Sequence, residues 1–315
     1  FLRVAVSDVC LWLRIMPWPI LNMWGWGILL RDIFNKYQII KPSNGPVNTM
    51  STINLKTPIS YYGGKQKLAP KIISLIPSHT LYAEPFVGGA AVFFGKQASN
   101  IEVLNDTNGE LINFYKVVQT NFAELESEIR NTLHSRGLHH QAGVIYNNPT
   151  LFNEIKRAWA VWVLSTQSFS AKLDSSFGYG KTINTITKKI INNRDRFTEQ
   201  IAFRLQNCQI ECADALYIIN SRDTAQSFFY CDPPYFNSTC GHYGGYSEQD
   251  FENLLKCLST TKGKFLLSSY PSPLLLRYIK ANAWHTWSVE KGVSVNIKSG
   301  YLKRKVEVLT ANYPI

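Results

Sequence analysis

The tetrapeptide Asp232-Pro233-Pro234-Tyr235 constrains the fold of this 315-residue chain more than any other feature. It follows the apolar run at residues 227–231, which predicts a buried strand. Two successive prolines cannot continue a strand or enter a helix interior, so the chain must turn there. A carboxylate and an aromatic ring are therefore held on a rigid elbow where a strand ends. In open α/β sheets ligands bind at that edge, and this pair suits a planar substrate with an exposed amine, such as a nucleobase.

The order of predicted elements favours a mostly parallel α/β sheet with helices on both faces. Strands predicted at residues 81–86 and 101–104 are each followed by a predicted helix, at 90–97 and 111–118. This βαβα order is typical of a parallel sheet covered on both faces. A helix predicted at 247–258 begins with Ser247 and Asp250 at capping-box spacing. Further strands are predicted at residues 209–212, 228–231, 265–268, 284–289 and 306–310.

The chain is expected to have three parts. Met50 opens the segment that leads into the sheet, so the residues before it are predicted to be an extension outside the fold. Within that extension, residues 10–30 are apolar but interrupted by Arg14, Pro17 and Pro19, which leaves a membrane anchor as the lesser alternative. The predicted parts are the extension 1–49, a catalytic domain built from 50–119 and 206–315, and an inserted, mainly helical subdomain at 120–205.

The charge distribution bears on the binding partner, and the cysteine content bears on metal binding and on the redox environment. The formal net charge of +11 is concentrated at residues 181–204 and 291–305, a distribution that suits a polyanion such as nucleic acid. A solvated basic surface is the alternative, and charge alone does not decide between them. The six cysteines form no CxxC pair and no set with zinc spacing, so we expect no metal and a reducing, cytoplasmic environment.

A glycine pair precedes the first predicted helix. Residues 61–65 read YYGGK, and the apolar spacing that follows predicts a helix over 65–76. Glycines let the backbone approach a ligand closely, and the start of a helix attracts anionic groups. The segment is not a P-loop, because Ile59 stands where the first glycine is required and Gln66 follows Lys65 in place of Ser or Thr. Taken alone, it indicates an ordinary turn.

Three acidic residues lie at or directly after the ends of predicted strands, at the carboxyl edge of the sheet. Glu84 opens the segment EPFVGGA, which lacks the GxGxxG spacing of a dinucleotide fold but brings two glycines to this edge. Asp106 follows the next strand, where a βαβ unit faces the ribose hydroxyls of a nucleoside. Asp214 follows the strand at 209–212, near the expected adenine edge. For Asp106 and Asp214 the alternative is a residue that caps the following helix.

The order of these motifs resembles that of the Dam-like family of adenine-specific DNA methyltransferases. The resemblance covers roughly residues 55–315 and implies a Rossmann-like class I methyltransferase fold. In that family a variable segment separates the second and third numbered motifs, as residues 120–205 do here. The segments that carry the resemblance read YYGGK, EPFVGGAAVFF, LNDTN, IECAD and DPPY.

The resemblance implies S-adenosylmethionine as the cofactor. It assigns Tyr61 and Lys65 to the methionine end, and Glu84 to its amino group or to the glycine loop. It assigns Asp106 to the ribose and Asp214 to the adenine amine of the cofactor. The implied cofactor-binding residues are Tyr61, Lys65, Glu84, Phe86, Gly88, Asp106, Asp214 and Asp232.

The same resemblance implies that Asp232, Pro233, Pro234 and Tyr235 are catalytic. The Asp232 carboxylate and the Pro233 carbonyl would accept hydrogen bonds from the adenine amine, which would localise the nitrogen lone pair for attack on the methyl group. The target base must leave the duplex, and Tyr235 would stack on the flipped ring. Methylation of the cytosine amine is one alternative. A DNA-binding homologue without activity is the other.

The insert is expected to recognise double-stranded DNA. Lys188, Lys189, Arg194 and Arg196 are the predicted phosphate contacts. Asn192 and Asn193 are candidate base readers, because an Asn amide can bond adenine bidentately. A cognate restriction endonuclease is a possible further partner, and no stable membrane partner is expected.

Overall fold

A computed structural model describes residues 55–237, 245–292 and 304–315 of the protein. The predicted extension 1–49, with its alternative role as a membrane anchor, lies outside the described residues, and so does most of the basic stretch 291–305. Within the described ranges, the structure contains no helix of the length and apolar character that crossing a membrane requires.

A seven-stranded sheet in the order β3-β2-β1-β4-β5-β7-β6 forms the centre of the fold. The first five strands pair in parallel, while β7 runs antiparallel to both β5 and β6. This is the mostly parallel, Rossmann-like sheet that the sequence predicts. The strands are β1 (Leu81–Glu84), β2 (Ile101–Asn105), β3 (Cys208–Glu211), β4 (Ser227–Cys231), β5 (Lys264–Ser269), β6 (His285–Gly292) and β7 (Arg304–Ala311).

Helices cover both faces because successive strand residues point to opposite sides. Tyr82 and Phe228 pack on one face with the helices that precede β3, whereas Ala83 and Phe229 pack on the other with those that follow it. The helices before β3 are α1 (Ala69–Ser74), α2 (Ala91–Gly95), α3 (Gly109–Thr120), α4 (Phe122–Arg130), α5 (Arg136–Asn147), α6 (Glu154–Gln167), α7 (Thr185–Asp195) and α8 (Glu199–Leu205). Those after it are α9 (Ala215–Arg222), α10 (Glu248–Thr260) and α11 (Pro273–Asn282).

Helices α4 to α8 lie in the predicted insert 120–205 and share one apolar core with the sheet. Trp162 of α6 is fully buried. The ring of Phe197 stacks on Phe122 at 5.1 Å between centroids and lies 6.4 Å from Phe114 of α3. Two short 3-10 turns, Pro149–Leu151 and Phe169–Ala171, connect these helices. The insert is thus continuous in its packing with α3.

The first helix begins later than its apolar spacing predicts. Residues 65–68 form turns, and α1 starts at Ala69. Pro70 occupies its first turn, where the missing amide of proline costs no helical hydrogen bond. The prediction of a helix from residue 65 is therefore wrong at its start, and Lys65 lies in a turn before the helix. The capping box predicted for α10 is confirmed, because Ser247 and Asp250 each bond the backbone amide of the other.

Candidate active site

A cavity of about 700 Å³ opens at the carboxyl edge of β1, β2, β3 and β4. The loops after these strands contribute to its walls, together with the turn before α1 and the start of α10. The edge position follows from the parallel topology, because parallel strands end together on one side of a sheet. Every residue predicted to be catalytic or to bind the cofactor lines this one cavity, namely Tyr61, Lys65, Glu84, Phe86, Gly88, Asp106, Asp214, Asp232, Pro233, Pro234 and Tyr235.

Asp232 follows the last residue of β4 and forms an ion pair with Lys65. The Lys65 ammonium lies 2.7 Å from Asp232 Oδ1, and the Lys65 side chain is 8% exposed. Burial alone would lower the pKa of Lys65, but the carboxylates of Asp232 and Glu307 outweigh it and hold that pKa above its usual value. Burial raises the pKa of Asp232, and the Lys65 charge opposes this effect. The Lys65 ammonium thus binds the same Asp232 carboxylate that the resemblance assigns to the substrate amine.

The Tyr235 ring is held from several sides. Its hydroxyl donates to Asp232 Oδ1 at 3.2 Å and also to the Glu307 carboxylate. The Tyr270 ring packs against it edge-on, with 4.4 Å between centroids. The Lys65 ammonium lies 5.0 Å from its centroid. The ring is therefore fixed in orientation while it lines the cavity.

Glu307 is a charged cavity residue that sequence reasoning missed. It lies on β7, and the pattern at residues 306–310 predicts only a buried strand there. Because β7 is antiparallel, its early residues lie at the same edge as the ends of the parallel strands. A signal was present, since Glu307 is an acidic residue between Val306 and Val308 in a run that is otherwise suited to the core.

The glycine loop after β1 is tied to Asp106. The Gly88 amide donates to Asp106 Oδ2 at 3.1 Å, and the Gly88 carbonyl accepts from the Tyr115 hydroxyl at 2.7 Å. Gly88 has a φ of 45°, in the left-handed region, and a Cβ there would lie 3.2 Å from the Tyr61 ring. The alternative role of Asp106 as a helix cap is wrong, because Asn108 caps α3.

Asn105, the last residue of β2, holds together the loops after β1 and β3. Its amide donates to the carbonyls of Pro85, at 2.9 Å, and Ala213, at 3.0 Å. Its amide oxygen accepts from the Ala213 amide at 2.9 Å. Asp214 follows directly and caps α9 by accepting from two backbone amides at 2.9 and 3.1 Å. The cap interpretation is therefore confirmed for Asp214, which also borders the cavity.

Glu84 is a buried carboxyl at the cavity floor. It accepts a hydrogen bond from the Tyr82 hydroxyl at 2.6 Å. Burial raises the pKa of Glu84 to about 7, although the Tyr82 bond acts in the opposite direction. A cationic group placed beside Glu84 would favour its ionised form. Among the described residues, no group of His, Cys, Asp and Glu side chains is arranged to hold a metal ion.

The predicted phosphate contacts lie on or directly after α7, away from the cavity lining. Lys188 and Arg196 are exposed. Burial lowers the pKa of Lys189, and Arg194 donates to the Arg130 carbonyl at 3.2 Å. The candidate base reader Asn193 has a buried amide nitrogen with no hydrogen-bond partner, whereas Asn192 is exposed.

A cluster of aromatic and basic side chains lies in the insert, and sequence reasoning did not single it out. The Arg136 guanidinium is 4.9 Å from the Phe177 ring centroid and 5.5 Å from that of Tyr179. The Lys172 ammonium is 4.8 Å from the ring of Tyr62, the neighbour of Tyr61 in the cavity wall. The segment 169–181 contains three aromatic and two basic residues, and this was the available signal: Phe169, Lys172, Phe177, Tyr179 and Lys181.

The fold and this edge define a class of protein. The mostly parallel sheet, with its antiparallel strand β7, carries acidic residues at the end of β1 and after β2 and β3. A DPPY elbow follows β4. That combination is the site of a nucleobase-directed methyltransferase. Residues 61–302 match the family described as D12 class N6 adenine-specific DNA methyltransferase, and the chain belongs to this family.

Curated relatives are named as methyltransferases or methylases, and one of them as a DNA adenine methylase. The chain is 25% identical to the Type II methyltransferase M1.LlaDCHI of Lactococcus lactis subsp. cremoris, a match that covers 83% of this chain and 96% of that protein. It is also 25% identical to the DNA adenine methylase of Salmonella typhi, over 81% of this chain and 94% of that protein. Identity with the modification methylase StsI of Streptococcus sanguinis is 27%, over 73% of this chain and 37% of that protein. The predicted adenine-specific DNA methyltransferase is thereby confirmed, and the family decides for adenine N6 over the cytosine amine.

Proposed function

We propose that the cavity binds S-adenosylmethionine beside Asp232, and that a flipped adenine of double-stranded DNA receives the methyl group there. The observation that supports this most strongly is the convergence of the predicted cofactor and catalytic residues on one cavity of about 700 Å³. When bound, the cofactor supplies an electrophilic methyl group on a sulfonium. The residues present suit its charged groups, because acidic side chains face the cavity around one buried lysine.

Each acidic residue has capacity for such a ligand. Asp106 accepts two backbone amides, yet a carboxylate offers about four acceptor positions, so it can also accept from ribose hydroxyls. Asp214 retains similar capacity beyond its two cap bonds and would accept from the adenine amine of the cofactor. Glu84 would ionise beside the α-ammonium group, and Tyr61 and Lys65 would bind the methionine carboxylate end.

Asp232 and Pro233 would orient the target amine. Their carboxylate and carbonyl oxygens accept its two hydrogens, which localises the lone pair on N6. N6 would then be placed to attack the methyl group that the bound cofactor supplies, with the electron pair of the broken carbon–sulfur bond left on sulfur. The amine releases one proton, and the Asp232 carboxylate, whose pKa burial raises, is the acceptor in contact. Lys65 must move away from Asp232 Oδ1, which it binds in this structure. It could then pair with the carboxylate of the cofactor's methionine end.

The DNA is proposed to lie across the cavity mouth and the insert 120–205. Tyr235 would stack on the flipped adenine, an interaction worth about 1–3 kcal/mol per base. The cluster of Arg136, Lys172, Phe177 and Tyr179 adjoins the mouth through Tyr62, and aromatic rings with cations are what single bases and phosphates bind. The exposed Lys188 and Arg196 would add phosphate contacts.

Transfer of tritium from labelled S-adenosylmethionine to unmethylated DNA tests the proposal in the full chain. Asp232→Ala is expected to lower the rate by at least about 100-fold, the loss typical when a group that stabilises developing charge is removed. Asp195→Ala is the matched control, because Asp195 is exposed at the end of α7 and outside the cavity. Full activity of Asp232→Ala would refute the catalytic assignment.

The methylated nucleosides and their sequence context complete the test. Mass spectrometry of digested DNA is expected to show N6-methyladenine, and sequencing of the modified bases would give the recognition site. DNA binding without any transfer by the wild-type chain would instead support the inactive homologue. A cognate restriction endonuclease is also proposed, since relatives include Type II methyltransferases. It would cleave the mapped site only in unmethylated DNA.

A further inference from the structure

We propose that Glu307 is a positioning residue for methyl transfer, whose carboxylate orients the Tyr235 ring and the Lys65 ammonium around Asp232. The inference rests on the proposed function of the cavity. Glu307 lies beyond residues 61–302, the part of the chain that matches the family, so the family match assigns it no role.

Glu307 contacts both groups that surround the catalytic carboxylate. The Tyr235 hydroxyl donates to Glu307, and the Lys65 ammonium lies 3.6 Å from Glu307 Oε1. The same ammonium is 2.7 Å from Asp232, and the same hydroxyl is 3.2 Å from it. Two carboxylates, one ammonium and one phenol therefore form a single closed arrangement at the end of β4.

The strand order brings Glu307 to this place. β7 lies between β5 and β6, and Ser269, the last residue of β5, pairs with Val308. Glu307 is thus one residue beyond the paired end of β5, at the edge where the β4 elbow turns. A residue of β7 can reach the elbow only in this antiparallel register, since a shift by one residue would point its side chain to the opposite face.

An acidic residue at this position is costly unless it has a specific partner. Glu307 is 5% exposed, and a buried carboxylate must be paired and hydrogen-bonded to be tolerated. Leu309, two residues further along β7 and on the same face of the sheet, is fully buried in the apolar core, so this face of the strand accommodates apolar side chains. Its partners include the Tyr235 hydroxyl and the Lys65 ammonium of the active centre. We infer that the carboxylate is retained for the geometry of that centre.

Fixing Tyr235 in advance would favour the reaction step. A stacking ring held by its hydroxyl and by Tyr270 needs no reordering when the flipped base arrives. When the adenine amine binds Asp232 and displaces Lys65, the Glu307 carboxylate still provides a negative charge beside the Lys65 ammonium. Both effects act on the rate of methyl transfer more than on DNA affinity, which depends on phosphate contacts elsewhere.

Single-turnover methyl transfer with Glu307→Gln tests the inference, using synthetic unmethylated duplex that carries the mapped recognition site. Glutamine keeps the shape and one acceptor oxygen but removes the charge. The rate constant is expected to fall roughly 10- to 100-fold, the value of one charge-assisted hydrogen bond. The dissociation constant for the duplex should change less than about threefold. Glu290→Gln is the control, because it removes the same charge from an exposed position on the neighbouring strand β6.

A double-mutant cycle with Tyr235→Phe separates positioning from general stability. If Glu307 acts through the Tyr235 hydroxyl, Glu307→Gln should cost less in the Tyr235→Phe background than in the wild type. Equal losses in both backgrounds, or a rate within twofold of the Glu290→Gln control, would overturn the proposal. So would loss of folded protein in both Glu307→Gln and Glu307→Asp, since that would make Glu307 a core residue. An inactive wild-type chain in the same assay would refute the proposed function instead.

Discussion

Replacing Arg204 with methionine would remove one of the two cations that pair with the buried Glu102 carboxylate. The guanidinium donates to both oxygens of Glu102, with Nη2 at 2.8 Å from Oε1, and to the Phe93 carbonyl at 3.0 Å. It also lies 3.7 Å from the centroid of the Phe93 ring. Lys96 binds the same carboxylate at 2.5 Å. Arg204 thereby joins the last helix before β3 to β2 and α2.

The size of the loss follows from the burial of this pair. Removing one partner of a buried ion pair costs about 3–5 kcal/mol when the other charge is left uncompensated. Here Lys96 remains beside Glu102, so we expect a loss of about 3 kcal/mol in the free energy of unfolding. For a domain of this size that corresponds to a fall of roughly 6–12 °C in Tm.

Urea unfolding of the ligand-free protein measures this loss, and the chain offers a matched control. Arg130 pairs with Glu126 in the next turn of α4, but its side chain is 52% exposed, against 11% for Arg204. Arg130→Met should therefore cost no more than about 0.5 kcal/mol. If Arg204→Met were no more destabilising than Arg130→Met, the reasoning from burial would be refuted.

Two further predictions concern the cavity. The pKa of Glu84 is about 7 in the folded protein, whereas its ordinary value is 4.5. Between these pH values the folded protein binds a proton that the unfolded chain does not bind. The contribution of Glu84 to stability therefore declines as pH rises from 5 to 7. Urea midpoints measured against pH should show Glu84→Gln gaining on the wild type across that window and then keeping a constant advantage; a constant difference throughout would contradict the assignment. Gly88→Ala should cost about 1–2 kcal/mol, because alanine is strained at a φ of 45° and its Cβ would press on the Tyr61 ring. Calorimetric titration with S-adenosylmethionine should show weaker binding for Gly88→Ala and unchanged binding for Gly109→Ala, whose Cβ would meet no atom within 4 Å.

Features that depend on short stretches of chain were predictable. The elbow after β4 follows from two prolines beside an apolar run, and the capping box of α10 follows from Ser247 and Asp250. The edge that gathers Glu84, Asp106 and Asp214 follows from the parallel order of the strands. The elbow and the capping box depend on residues that are close in sequence. The edge depends on the parallel topology, which the alternation of strands and helices predicts.

Features that depend on distant pairing were not predictable. Glu307 reaches the elbow only because β7 enters the sheet antiparallel between β5 and β6, and no local pattern specifies that register. The pairing of Lys65 with Asp232 joins two loops that are far apart in sequence. Asp106 and Asn108 both carry side chains that could cap α3. In the structure Asn108 is the cap, because the helix begins at Gly109.

The core that α6 shares with the sheet limits how this protein can be re-engineered. Trp162 and Phe197 pack in the same apolar cluster as Tyr82 of β1, so the helices of the insert cannot be exchanged as a cassette without also repacking the sheet. Changes to the proposed DNA-recognition surface must instead be made in outward-facing segments such as residues 168–184, where side chains are more exposed. A graft of that segment would leave Trp162 and Phe197 in place, but it would have to keep the contact between Lys172 and Tyr62 at the cavity wall.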